Sequence, residues 1–178
     1  MRRRHVLGAG ALAPAALLLA GCQGQLADVR FRSWRSAAEA VLALRFRTPQ
    51  VRGNAWNLAQ VLQHLAQSIE YSLSGYPAPK PAWFRASLGA AAFSAFDSVG
   101  GMTHDRSEAI PGAPALQAEL SLRDAVQRLL DAMAAFQAHT GLLQPHFAYG
   151  ALSHAQYERA HLMHLAHHWE QFQSPAAG

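Results

Sequence analysis

The sequence predicts an all-α domain: an antiparallel four-helix bundle with a long elaborated connection between its second and third helices. Three observations lead there. Apolar residues recur at three- and four-residue spacing in four separate stretches, each stretch is bounded by capping or breaking residues, and no segment shows the strict alternation of a half-buried strand. No internal repeat is visible, so a solenoid is not expected. With 178 residues, 51% of them apolar, the chain has room for one domain with a real core.

The chain begins with Arg2, Arg3 and Arg4, an apolar run from Val6 to Ala20, and then Leu19-Ala20-Gly21-Cys22. A basic start, an apolar centre and small residues at the end are the three parts of a secretory signal. The last four residues match the lipobox of bacterial lipoproteins, in which the cysteine is acylated and becomes the first residue after cleavage. The paired arginines also resemble a twin-arginine leader, with a looser fit around them. The apolar run is roughly 15 residues, short of the roughly 20 that a retained transmembrane helix needs. The expected organisation is a signal peptide over residues 1–21, a lipidated tether over 22–32 and the bundle over 33–174. Lipidation would consume Cys22, the only cysteine, leaving no thiol for a disulfide, a nucleophile or a metal.

In the body, Ser33 to Arg47 places Trp34, Ala38, Val41, Leu42 and Phe46 at helical spacing and stops at Thr48-Pro49. Asn54 is a candidate cap for the second helix, which carries Trp56, Leu58, Leu62, Leu65, Ile69 and Leu73 and ends at Gly75-Tyr76-Pro77. Ala82 to Phe96 has helical character, whereas Gly100-Gly101 through Pro111-Gly112-Ala113-Pro114 reads as loop. Ser121 caps a third main helix with Leu122, Ala125, Leu129, Leu130, Met133 and Phe136 on its apolar side. Ser153 caps a fourth running to about Phe172.

Net charge argues against a nucleic-acid partner. Fifteen basic residues stand against eleven acidic ones, but setting aside Arg2, Arg3 and Arg4 leaves the exported body near neutrality.

The chemistry lies in the histidines. Ten are present, and the fourth helix carries His161, His164, His167 and His168. At about 100° per residue, His164 and His168 fall roughly 40° and one turn apart, able to point at one ion. His161 with His164 is also compatible, but His161 and His168 lie about 10 Å apart along the axis, so one of the two is not a ligand. Tyr157, His161, His164, Leu165, His168 and Phe172 share about one third of the circumference, the stripe expected to face the centre. Neutral imidazoles buried there need partners, and a cation supplies them. A histidine-rich surface helix, or core histidines bonded within the protein, is the plain alternative. A further ligand must come from elsewhere, with His64, His104, His139, His146 and His154 available. Spacing does not choose among them. His64 lies on the polar side of the second helix, beside Asn57, Gln60, Ser68 and Tyr71, a side that is either solvated or lines an internal crevice.

Two motifs bear on that choice. Trp56-Asn57-Leu58-Ala59-Gln60-Val61-Leu62-Gln63-His64 resembles the second-helix signature of the DinB-like (DinB/YfiT) superfamily of metal-dependent bundle proteins. Met163-His164-Leu165-Ala166-His167-His168-Trp169-Glu170-Gln171 resembles its last-helix signature. Ile69-Glu70-Tyr71-Ser72, Gly75-Tyr76-Pro77, Ile110-Pro111-Gly112-Ala113-Pro114 and Pro145-His146-Phe147-Ala148-Tyr149-Gly150 are similar to an uncharacterised branch of that superfamily. The resemblance implies a DinB-like four-helix bundle with a divalent metal, Zn²⁺ or alternatively Ni²⁺ or Fe²⁺, held by His64, His164 and His168. His161, His146 and Tyr71 are then expected beside the ligands or the substrate. Trp169-Glu170 departs from the basic residue and glycine of better-known members, as does the export leader, so no substrate is carried over.

His146 and His104 are further candidates for an acid or base, although loop histidines are more often solvated. No phosphate loop, paired carboxylate motif or nucleophile elbow is present. The function expected is metal-assisted hydrolysis or group transfer on an unidentified small molecule, with a coordination position left for water. The alternative is a non-catalytic metal- or ligand-binding lipoprotein. The partners expected are that small molecule, the membrane through the lipid anchor on the periplasmic or cell-surface face, and a second copy of the chain in a homodimer.

Overall fold

The computed structural model describes residues 31–53 and 55–173. The leader, Cys22, most of the tether and the cap expected at Asn54 lie outside the described residues. The protein is mostly helical. Helix α1 (Trp34–Ala43) starts at Ser33, whose hydroxyl accepts the Ser36 N–H at 3.2 Å. It ends before the expected Arg47 because Leu44, Arg45 and Phe46 donate to carbonyls three residues back, tightening the last turn. Phe46, expected on the apolar face, is exposed, and Leu44 is buried instead.

Strand β1 (Gln50–Val51) pairs antiparallel with β2 (Phe172–Gln173), in register Gln50 with Gln173 and Val51 with Phe172. The expectation of no strand fails here because two residues are too few for alternation to be visible. Helix α2 (Leu58–Ser74) is capped by Asn57. Its side chain accepts the Gln60 N–H at 2.9 Å while its own N–H donates to the Gln60 side chain at 3.0 Å, a reciprocal capping box. Trp56, expected inside the helix, precedes it.

The chain then runs through α3 (Ala82–Phe84), a π turn over Arg85–Gly89 and α4 (Ala90–Val99). Helix α5 (Leu122–Ala138) starts at the expected Ser121, and α6 (His154–Trp169) at the expected Ser153 with a second capping box to Gln156. Helix α6 ends before Phe172, which joins the β pair. The core lies where α2 packs on α5 and α6 and where α1 packs on both of the latter. Leu62, Leu65 and Ile69 of α2 meet Leu129, Met133 and Phe136 of α5 in one buried cluster that also takes in Trp34 and Tyr157.

Two features prepare the site. The polar flank of α2 is not solvated. Asn57, Gln60, Gln63 and Gln67, one on each successive turn, donate to the carbonyls of Ala118, Leu116, Gln117 and Pro114 at 2.8–3.3 Å. Gln63 also accepts the Gln117 N–H at 3.0 Å. This ladder satisfies backbone groups of the long connection and lays it over α2, burying Gln63 and His64. On the far side of α6, Phe93 of α4 packs with Ala160 and Met163 in a second small cluster. Helix α6 is therefore covered on nearly every side, and the expected one-third stripe is too narrow: Ala160, Leu162, Met163, Ala166 and His167 are buried as well. Gly89 sits at the closest approach, where a Cβ would lie 1.8 Å from the Ala148 carbonyl oxygen.

Replacing Gln63 with Leu keeps the volume but leaves the Gln117 N–H and carbonyl without partners. An expected loss of about 2 kcal/mol in unfolding free energy is to be read from urea denaturation with an unchanged m-value.

Candidate metal centre

His64 projects from the middle of α2 into the space closed by the connection, and His164 and His168 project from successive turns of α6 towards it. His64 is 3% and His168 0% exposed, whereas His164 is only partly buried. One ring nitrogen of each lies within 4.8 Å of the others. The Nε2 atoms of His64 and His164 face each other at 3.2 Å, and the three ring centroids are 4.8–5.0 Å apart.

These imidazoles are neutral. Burial pushes His64 down to about 3, with the neighbouring His104 adding repulsion. Burial likewise holds His164 and His168 well below the ordinary range, reinforced for each by adjacent imidazoles. A neutral imidazole carries a lone pair, and three of them converging form a donor set for a cation. In the ion-free chain the 3.2 Å contact is an N–H···N hydrogen bond. That distance also suits two ligands of one tetrahedral ion, whose nitrogens lie about 3.3 Å apart for metal–nitrogen bonds of about 2.0–2.1 Å. His168 Nε2 and His64 Nδ1 are buried without a hydrogen-bond partner. A cation would satisfy the first of these directly.

Behind His168, the Gln171 carboxamide meets Nδ1 at 2.9 Å. The Gln171 carbonyl accepts the Arg52 N–H at 3.0 Å next to the β pair, so the small sheet fixes the residue that orients His168.

A cavity of about 230 Å³ opens beside the cluster, lined by His64, His104, His146, His161 and His164. Most of its remaining wall is apolar, with Lys80 and Glu108 as its charges. His161 is buried against Trp34, Phe136 and Tyr157. The Ser72 hydroxyl donates to the Ile69 carbonyl at 2.6 Å, so its oxygen accepts from His161 Nε2–H at 3.2 Å. Of the two end residues on the fourth predicted helix, His168 joins the cluster and His161 pairs with Ser72.

His146 Nδ1 accepts the N–H groups of Ala148 and Tyr149, both at 3.1 Å, leaving its proton on Nε2. Its ring stacks on Tyr149 with centroids 4.2 Å apart. Tyr71 does not line the cavity; its ring packs on Tyr76, which in turn lies 5.0 Å from His146. No spacing argument marks Tyr76 or Ser72, which stand in the sequence only within the resembling stretches Gly75-Tyr76-Pro77 and Ile69-Glu70-Tyr71-Ser72. His154 rests on Phe136, and His139 lies at the exposed end of α5.

The fold and site thus define a helical protein with a buried cluster of three neutral histidines beside a cavity. The chain belongs to the DUF1569 family of proteins of unknown function, whose profile matches residues 23–175. No curated protein and no solved structure matches it.

Burial holds His146 and His161 down to about 3 as well. In the unfolded chain they titrate near 6.5, so between pH 6.5 and 3 the unfolded state binds more protons and stability falls as pH falls. Above pH 7 neither state is protonated and the contribution is level. Each of the two should cost about 2 kcal/mol of unfolding free energy by pH 5. Denaturant titrations of the apo chain at pH 7.5 and 5.0 measure this, and His161→Phe should reduce the slope.

Proposed function

We propose that this is a DinB-like four-helix-bundle metalloprotein that holds one divalent ion, Zn²⁺ or in its place Ni²⁺ or Fe²⁺, through His64, His164 and His168. The observation that carries the reading is the orphaned, fully buried Nε2 of His168 beside the 3.2 Å pair of His64 and His164 nitrogens. In this reading the Gln171 carboxamide is turned so that its oxygen, in place of the nitrogen that lies 2.9 Å from Nδ1, faces His168; Nδ1–H then donates to that oxygen and Nε2 keeps its lone pair for the ion. Three neutral ligands leave an ion's charge uncompensated, and such an ion supplies Lewis-acid chemistry for hydrolysis or group transfer.

The chain's own residues define what a small molecule meets. The apolar part of the wall, Met102, Ile110 and Phe147 among it, offers such a molecule a surface to pack on. His146 offers a fixed Nε2–H to an acceptor oxygen, and Lys80 supplies a positive charge in the cavity wall. A second reading, a non-catalytic metal- or ligand-holding protein, is favoured by one observation. His146 and His161 are held near 3, too weakly basic to take up a proton at neutral pH. We further propose that Cys22 is lipidated and tethers the protein to the membrane on its exported side, and that the chain pairs as a homodimer.

Titration calorimetry of the apo chain with Zn²⁺ should give about one equivalent. His164→Ala and His168→Ala should each weaken binding by at least a hundredfold while far-UV circular dichroism is retained. Stoichiometry unchanged in both variants would discard the site. Full-length protein should fractionate with membranes, and Cys22→Ser should release it from the lipid-modified pool; equal acyl labelling of both chains would discard the anchor.

A further inference from the structure

Resting on the three-histidine metal reading, we propose that His104, carried on the loop after α4, is a fourth nitrogen ligand of the same ion. Its ring lies against two of the three, with centroids 5.1 Å from His164 and 5.3 Å from His168. The three rings of the cluster are 4.8–5.0 Å from one another. Imidazoles bound through nitrogen to one tetrahedral ion place their centroids about 5.2 Å apart, given metal–nitrogen bonds of about 2.0–2.1 Å. Five of the six centroid separations of a four-histidine site are thus near that value; the nitrogens that already lie within 4.8 Å of one another are those of His64, His164 and His168, so His104 has to swing inward on its loop to join them, away from His167 at 4.6 Å.

The tautomer of His104 is set for ligation. Its Nδ1–H donates to the Asp105 carbonyl at 2.8 Å, so Nε2 keeps the lone pair. A backbone carbonyl on Nδ1 is the support that metal-bound imidazoles use. The loop itself is held by a directed chain. Arg106 Nη2 donates to His167 Nδ1 at 3.4 Å, and His167 Nε2–H donates to the His104 carbonyl at 3.0 Å. Arg106 is in turn anchored by an ion pair with Glu170 of the α6 C-terminus. The fourth histidine of α6, which is not in the cluster, therefore fixes the backbone from which His104 extends. The ring also lines the cavity, so a ligating His104 would stand between the ion and a small molecule there, and the Lewis-acid chemistry proposed above would require it to give way to that molecule.

The test is X-ray absorption of the Zn²⁺-loaded protein, which counts imidazoles by their multiple scattering, together with Zn²⁺ affinity by chelator competition. Wild type should show four imidazoles. His104→Ala should show three and one light atom, with affinity at least tenfold weaker and circular dichroism unchanged. The Co²⁺-loaded His104→Ala protein should also change its visible spectrum on adding azide, where wild type does not; His104→Gln should behave as His104→Ala in the imidazole count. Three imidazoles in wild type, or the same count and affinity in wild type and His104→Ala, would overturn the fourth ligand while leaving the three-histidine site standing. Absence of Zn²⁺ from wild type would overturn the three-histidine site, and the fourth ligand with it.

Discussion

The site depends on how the connection between α2 and α5 is held down. A segment containing Pro111, Pro114 and small residues docks few apolar side chains besides Ile110 and Leu120, and its carbonyls cannot be hidden without donors. The side-chain amides of Asn57, Gln60, Gln63 and Gln67 provide those donors from one flank of α2. With the connection lying across that flank, His64 is cut off from solvent. The same ladder that satisfies the backbone therefore removes water from an imidazole four residues from Gln60 and three from Gln67. Desolvation then keeps the imidazole neutral, and neutrality leaves its lone pair available.

The other half of the site follows from the covering of α6 on both sides. Packed against α1 and α2 on one side and α4 on the other, this helix has no wide polar face left to offer water. Its histidines consequently find partners inside the protein: His161 in Ser72, His167 in the His104 backbone, His168 in Gln171. The nitrogens that remain without such partners are concentrated where α2 and α6 face each other. Chelation is thus a local surplus of lone pairs in a dry region, produced by packing on one side and hydrogen bonding on the other.

Much of this was legible in the residues. Ser33, Ser121 and Ser153 announced three helix starts, since a hydroxyl followed by apolar periodicity leaves little ambiguity. His164 and His168 were paired by the pitch of a helix alone, whereas His64 emerged through resemblance to a signature, because periodicity put it on a side equally consistent with solvent. The error at Asn54 arose because two asparagines three apart both suit a cap, and only the Asn57–Gln60 reciprocity discriminates between them. Tyr71 and Tyr76 show a different limit. Tyr71 lies in the last turns of α2 and Tyr76 just beyond it, and which of the two packs against His146 is decided by the path of a loop more than 60 residues away. The β pair and the closely packed Gly89 were likewise invisible, being contacts between distant segments without a local pattern.

The π turn at Arg85–Gly89 has an evolutionary consequence. A helix that accommodates one surplus residue in this way keeps the phase of everything beyond it, and losing that residue would turn Phe93 and Phe96 about 100° away from their contacts with Tyr149. Since Gly89 also lies under the Ala148 carbonyl, beside the stretch that carries His146, the segment tolerates neither a deletion nor an added methyl without displacing the cavity wall. Insertions and deletions among descendants of this sequence should therefore accumulate at the exposed Gly141–Leu142 turn and be purged between Arg85 and Gly89, making the spacing of a segment with no ligand in it a more durable mark of the site than much of its composition.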